Sequence, residues 1–146
     1  MPYLTRGTHV HPGACHCGNI SFELDWPDDD AIPARRCGCG FCRKHGGVWT
    51  ASPGGRLAVT LRDPRRVSHY RFGTGTADFH ICSDCGVAPL VTSEIGGRLH
   101  AVVSVNAFET PDLPLGDAVD VSFDGESEAE RLARRARNWI PDVRFA

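Results

Sequence analysis

Seven cysteines fall into three groups along this 146-residue chain, and that grouping constrains the fold more than any other feature. Cys15 and Cys17 form a CxC pair, Cys37, Cys39 and Cys42 put three thiols into six residues, and Cys82 and Cys85 form a CxxC pair. None is isolated. A structural zinc ion is closed by four protein ligands, whereas a catalytic one keeps three and leaves a position for water or substrate. Two pairs therefore predict one closed site, and the triplet predicts an open one.

Redox setting supports metal over disulfides. The N-terminal residues Met1 to Arg6 lack the apolar core of a secretory signal, so a reducing, cytoplasmic location is expected. CxC and CxxC spacings in that setting favour metal, and an odd cysteine count cannot pair completely. A thioredoxin-like role for Cys82 and Cys85 fits less well, because Gly86-Val87-Ala88-Pro89 follows where the redox motif opens a helix.

Charge excludes two partner classes. With 16 basic and 18 acidic residues and a formal net charge of −2, the chain has no electrostatic footprint for nucleic acid or an anionic membrane. Its apolar runs are a few residues long, far short of the ~20 needed to span a bilayer.

Sixteen glycines and ten prolines divide the chain into short segments. Period-two or β-branched patterns predict strands at 19–24, 56–61, 67–72, 77–81, 90–93 and 99–105, with tight turns at 53–55, 62–64, 73–75 and 95–98. The acidic run Asp28-Asp29-Asp30 reads as a solvated loop, since it lacks the ligand spacing of a calcium loop. One helix is predicted, opened by the capping box Ser127 to Glu130, carried by Ala129, Leu132, Ala133, Ala136 and Trp139-Ile140, and stopped by Pro141. Its arginines Arg131, Arg134, Arg135 and Arg137 are expected to complement the helix dipole. The fold class expected is mainly β with a C-terminal α-helix.

Treated as an extended strand, Cys15 and Cys17 would present both sulfurs to one face and so to one ion shared with Cys82 and Cys85. That staple would tie the start of the domain to its middle. For the triplet, the fourth position remains open to water, an exogenous thiolate, or a protein group among His45, His80 and Asp78. Arg43 and Lys44, directly after the triplet, are candidates for attracting a carboxylate.

Taken together, Gly13-Ala14-Cys15-His16-Cys17-Gly18, Cys37-Gly38-Cys39-Gly40-Phe41-Cys42 and Ile81-Cys82-Ser83-Asp84-Cys85-Gly86 resemble the glutathione-dependent formaldehyde-activating enzyme family, which shares its domain with centromere protein V. The resemblance implies a β-tent zinc-binding domain of complex antiparallel β structure over residues 13–108, preceded by an extension (1–12) and followed by a C-terminal extension (109–146) whose helix packs on the same domain. It implies two zinc ions per chain, the structural one on Cys15, Cys17, Cys82 and Cys85 and a substrate-facing one on Cys37, Cys39 and Cys42. The implied activity is that of a carbon-sulfur lyase joining or cleaving glutathione, or a similar thiol, and formaldehyde or another small aldehyde. The alternative is a non-catalytic binding module in which both zinc sites are structural. Two departures from the family pattern, Gly40 inside the triplet and Asn106-Ala107 in place of an acidic pair, leave the ligands untouched and bear on the substrate.

Overall fold

A computed structural model describes residues 9–27, 31–110 and 113–146. The segment Met1 to Arg6 and the acidic run Asp28 to Asp30 lie outside the described residues. In chain order the elements are β1 (His9–Ala14), β2 (Ile20–Trp26), β3 (Ile32–Cys37), α1 (Gly40–His45), β4 (Val48–Thr50), β5 (Arg56–Leu61), β6 (Val67–Tyr70), β7 (Asp78–Cys82), β8 (Leu90–Ile95), β9 (Arg98–Ser104), β10 (Leu115–Val121), α2 (Glu128–Asn138) and β11 (Asp142–Phe145). The chain is mainly β, with its longer helix near the C-terminus. No helix among the described residues is long and apolar enough to cross a membrane.

Two sheets carry the strands, a four-stranded one in the order β1-β2-β5-β11 and a seven-stranded one in the order β10-β3-β4-β9-β8-β7-β6. Alternation builds the first sheet: Ile20, Phe22 and Leu24 of β2 and Leu57 and Val59 of β5 are buried, with polar neighbours turned outward. The register Ile20 to Leu61 and Leu24 to Leu57 sets these side chains opposite one another. In the second sheet the alternation disappears. Leu90, Val91, Thr92 and Ser93 of β8 and His100 to Ser104 of β9 are all buried, as expected of central strands covered on both faces. The two strands join through Gly96 (φ 60°) and Gly97 (φ 78°), a reversal in which both central residues need positive φ.

The pairings are antiparallel except at two places. β10 runs parallel to β3, and β11 runs parallel to β5. Both parallel strands come from the C-terminal segment, with α2 between them, so that segment closes an edge of each sheet. Neither strand stands out in the sequence: β10 is largely exposed and contains Gly116 and two aspartates, and β11 has only four residues.

The capping box of α2 is formed as expected, Ser127 Oγ accepting from Glu130 N at 3.1 Å and Ser127 N donating to Glu130 Oε1 at 3.0 Å. The helix stops two residues short of the predicted end. Residue Ile140, which precedes Pro141 and so disfavours helical backbone, instead bridges to Ala101 through bonds of 2.9 and 3.0 Å and is fully buried. The predicted apolar stripe is buried only at its end: Ala129, Ala133 and Ala136 are exposed, Trp139 and Ile140 pack on the core, and Arg135 is 7% exposed. Ser127→Ala is expected to cost about 1 kcal/mol and lower the melting temperature by about 3 °C in a thermal unfolding experiment.

Candidate metal centres

Cys15 and Cys17 do not lie in an extended strand. β1 ends at Ala14, and the two cysteines sit in the turn to β2, where Gly18 N donates to Cys15 O (3.1 Å) and Gly18 adopts φ 86°. The turn, rather than the strand face, brings their sulfurs to 3.8 Å from each other. Cys82 closes β7, and a second turn, fixed by Gly86 N to Cys82 O (2.8 Å) and Cys82 N to Val87 O (3.0 Å), returns Cys85 to the same place. All four sulfurs lie within 4.8 Å of one another, with Cys17 to Cys82 at 3.5 Å. Zinc-sulfur bonds of about 2.3 Å in a tetrahedron require sulfurs about 3.8 Å apart. The donor set and its spacing fit a closed tetrathiolate site.

Two sets of contacts hold this centre in place. The buried Asn19 side chain bonds both the N–H (2.8 Å) and the carbonyl (3.2 Å) of Asp63, tying the first turn to the loop after β5. Arg66 reaches Asp84 at 2.7 Å and its carbonyl accepts from Ser83 N at 2.9 Å, tying the second turn to the start of β6.

The triplet is built on a helix that the sequence pattern did not announce. Cys37 ends β3, Cys39 caps α1, and Cys42 lies within that helix. Cys39 Sγ accepts from Cys42 N at 3.4 Å, and Cys42 Sγ accepts from Trp49 Nε1 at 3.3 Å. The three sulfurs lie within 4.8 Å of one another. A hydrogen bond from the Cys42 thiol holds Cys37 down at about 5 against the opposing effect of burial, and the same contact pushes Cys42 up. Three cysteine sulfurs so placed are a donor set suited to a soft divalent cation.

Gly47 makes the close approach of Cys42 and Trp49 possible. A Cβ there would lie 2.8 Å from Trp49 Nε1 and 3.0 Å from Cys42 Cβ, so one of the two must move. Gly47→Ala is expected to cost about 1 to 3 kcal/mol and to weaken metal retention at the triplet, measured as zinc lost on dialysis against a weak chelator.

None of the candidate fourth ligands joins the triplet. His45 is exposed and stacks on Phe41 (5.1 Å), Asp78 pairs with Arg71 (2.5 Å), and the buried His80 bonds Thr92 Oγ1 through Nε2 (2.7 Å). Burial pushes the His80 imidazole down to about 4, which keeps it neutral. What the three sulfurs do adjoin is a cavity of about 360 Å³, lined by all of them. One wall is aromatic, with Trp49 and Phe79 edge to face at 5.9 Å and Phe72 beside Phe79 at 5.2 Å.

The cations of that cavity are not the expected ones. Arg43 and Lys44 are exposed, and neither lines it. Arg35 of β3 and Arg131, Arg134 and Arg135 of α2 do. The helix spacing i, i+3, i+4 put these last three on one face, and that regularity was the available signal. An apolar stripe elsewhere on the helix pointed the other way.

Comparisons with known proteins agree with this architecture. The family described as glutathione-dependent formaldehyde-activating enzyme matches residues 10–118. A crystal structure of a Rhodobacter sphaeroides protein is similar at 29% identity and a TM-score of 0.55, over 75% of this chain and 99% of that one. α2 and β11 lie beyond the family match.

Proposed function

Since this chain belongs to the glutathione-dependent formaldehyde-activating enzyme family, we propose that it is a carbon-sulfur lyase that joins or cleaves a small thiol, glutathione or one like it, and a small aldehyde such as formaldehyde. In this reading Cys15, Cys17, Cys82 and Cys85 hold a structural zinc ion, and Cys37, Cys39 and Cys42 hold a second ion facing the substrate. The observation that carries it is the position of three sulfurs in the wall of a cavity, with no fourth protein donor among the described residues. A zinc ion there would act as a Lewis acid and favour the deprotonated form of a thiol beside it.

The chain's own residues do the rest. Trp49 and the Cys42 N–H fix the orientation of two sulfurs, so the donor set is organised before anything binds. The aromatic wall of Trp49, Phe72 and Phe79 limits water and leaves a small space in which thiol and aldehyde must meet. In the forward direction a sulfur–carbon bond forms, the carbonyl π bond breaks, and the thiol proton ends on the new hydroxyl. Cleavage is the reverse. A closed structural role for the triplet would need a fourth protein ligand, and His45, His80 and Asp78 are each engaged elsewhere.

Calorimetric titration of the zinc-loaded protein with glutathione, in two buffers of different ionisation enthalpy, tests the thiol half. A free thiol of pKa about 8.5 is protonated at neutral pH, so close to one proton should be released per thiol bound. Binding without proton release, or no binding at millimolar glutathione, would remove the support for thiol chemistry at this centre.

A further inference from the structure

Arg135 is a buried cation without a carboxylate. It is 7% exposed, its Nη1 donates to the hydroxyls of Thr76 (2.9 Å) and Ser93 (3.1 Å), and its Nε has no hydrogen-bond partner. Ser93 Oγ in turn donates to Thr76 O at 2.7 Å, which leaves its lone pairs for the guanidinium. Neutral hydroxyls orient this group without neutralising it. Its neighbours raise the excess charge: Arg131 and Arg134 both turn to Glu126, and Arg135 forms no ion pair among the described residues. Burial, then the charges of Arg134 and Arg131, bring its pKa down to about 10, still protonated at neutral pH.

An isolated buried charge is costly, and a protein retains one where a partner of opposite sign arrives. The cavity that Arg135 lines also receives Arg35, Arg131 and Arg134, against the exposed Asp124 as the one lining carboxylate among the described residues. Arg134 lies over the Phe123 ring, 3.5 Å from its centroid, and is bonded to both oxygens of Glu126, while Arg135 lies 5.0 Å from the centroid of the Trp139 ring. These guanidiniums are fixed in place, as recognition of a planar oxyanion requires. A cavity of about 360 Å³ is near the lower end for small-molecule sites, so one compact ligand would reach both the arginines and the sulfurs.

We infer that α2 supplies an oxyanion subsite, centred on Arg135 in a cavity that Arg35 also lines, which selects small substrates carrying a carboxylate or phosphate group close to the reacting thiol or aldehyde. This rests on the proposed thiol and aldehyde chemistry for its meaning but not for its test. Arg135 lies on a helix beyond residues 10–118, so this chain's C-terminal segment supplies the central cation, while Arg35, Thr76 and Ser93 come from the family-matched region.

The test is calorimetric titration of the zinc-loaded full chain with 3-mercaptopropionate, its methyl ester, propionate and inorganic phosphate. The acid should bind about tenfold or more tightly than the ester, on the scale of charge-assisted hydrogen bonds. Arg135→Met should abolish that preference, and Arg135→Lys should keep part of it, with zinc content unchanged in both. Propionate or phosphate, lacking any thiol, should compete with 3-mercaptopropionate, and which of them competes better identifies the anion. Competition by a thiol-free anion would uphold the subsite even if thiol and aldehyde are never joined. Equal binding of acid and ester by the unmodified protein, a comparison that needs no variant to fold, would overturn the inference. So would an undiminished preference in Arg135→Met, or a loss of zinc in place of a loss of preference, which would assign the guanidinium to the charge of the sulfurs.

Discussion

Cys82→Ser is expected to leave the protein unfolded or molten at 25 °C, with one zinc equivalent or less retained. Cys82 is fully buried, and its sulfur lies 3.5 Å from that of Cys17 on the far side of a long stretch of chain. Structural zinc contributes about 10 to 16 kcal/mol of apparent binding free energy in small domains. A domain's whole stability is about 5 to 15 kcal/mol. Losing one ligand of four removes enough of the first quantity to consume the second, and a buried serine hydroxyl lacking a partner adds about 1 to 3 kcal/mol more. Circular dichroism in the near ultraviolet, together with zinc analysis, reads both effects. A folded Cys82→Ser protein with a melting temperature within a few degrees of the parent would mean that this centre is not the staple.

The opposite pattern is expected for Cys39→Ser. Cys39 is the cap of a six-residue helix, and serine is a favoured residue for that position, so the local backbone should survive. Its sulfur is one of three at the cavity, where serine oxygen is a poorer partner for a soft cation. One zinc equivalent should be lost, thermal stability should change by no more than about 2 kcal/mol, and thiol-aldehyde turnover should fall about 10³-fold, the several kcal/mol that a Lewis acid supplies. Unfolding as complete as that of Cys82→Ser would make the triplet structural as well, and would favour the binding-module reading.

The three cysteine groups were readable from sequence because ligand spacing is local, whereas the meeting of Cys15 and Cys17 with Cys82 and Cys85 is set by the fold. CxC and CxxC place sulfurs together through the geometry of a single turn, whatever the rest of the fold does, even though the turn at Cys15 and Cys17 replaces the expected strand. The same holds for the hairpin at Gly96-Gly97 and the capping box at Ser127, both of which form as the residues dictate. The strands missed were β1, β3, β4, β10 and β11, and of these the last two depend on partners distant in the chain. β10 becomes a strand only because β3 is there, and its exposed face carries no alternation to detect.

The orientation of α2 was the larger failure. Helical periodicity assumes that the buried face meets an apolar core, and Leu132 with its neighbouring alanines satisfies that template. Here the helix covers a cavity that several arginines line, so Arg131, Arg134 and Arg135 turn inward and Ala129, Ala133 and Ala136 turn out. Arg135 is oriented there by Thr76 and Ser93, residues far away in sequence that no window around the helix contains. Arg43 and Lys44 looked better placed only because they adjoin the cysteines in sequence.

The most direct test of the account is the rate at which S-(hydroxymethyl)glutathione exchanges with glutathione and formaldehyde, followed by NMR exchange spectroscopy with the zinc-loaded protein at a small fraction of the substrate concentration. The account predicts an exchange rate well above that of buffer alone, and a return to the buffer rate with Cys39→Ser. A rate unchanged by protein that retains both zinc ions would contradict it.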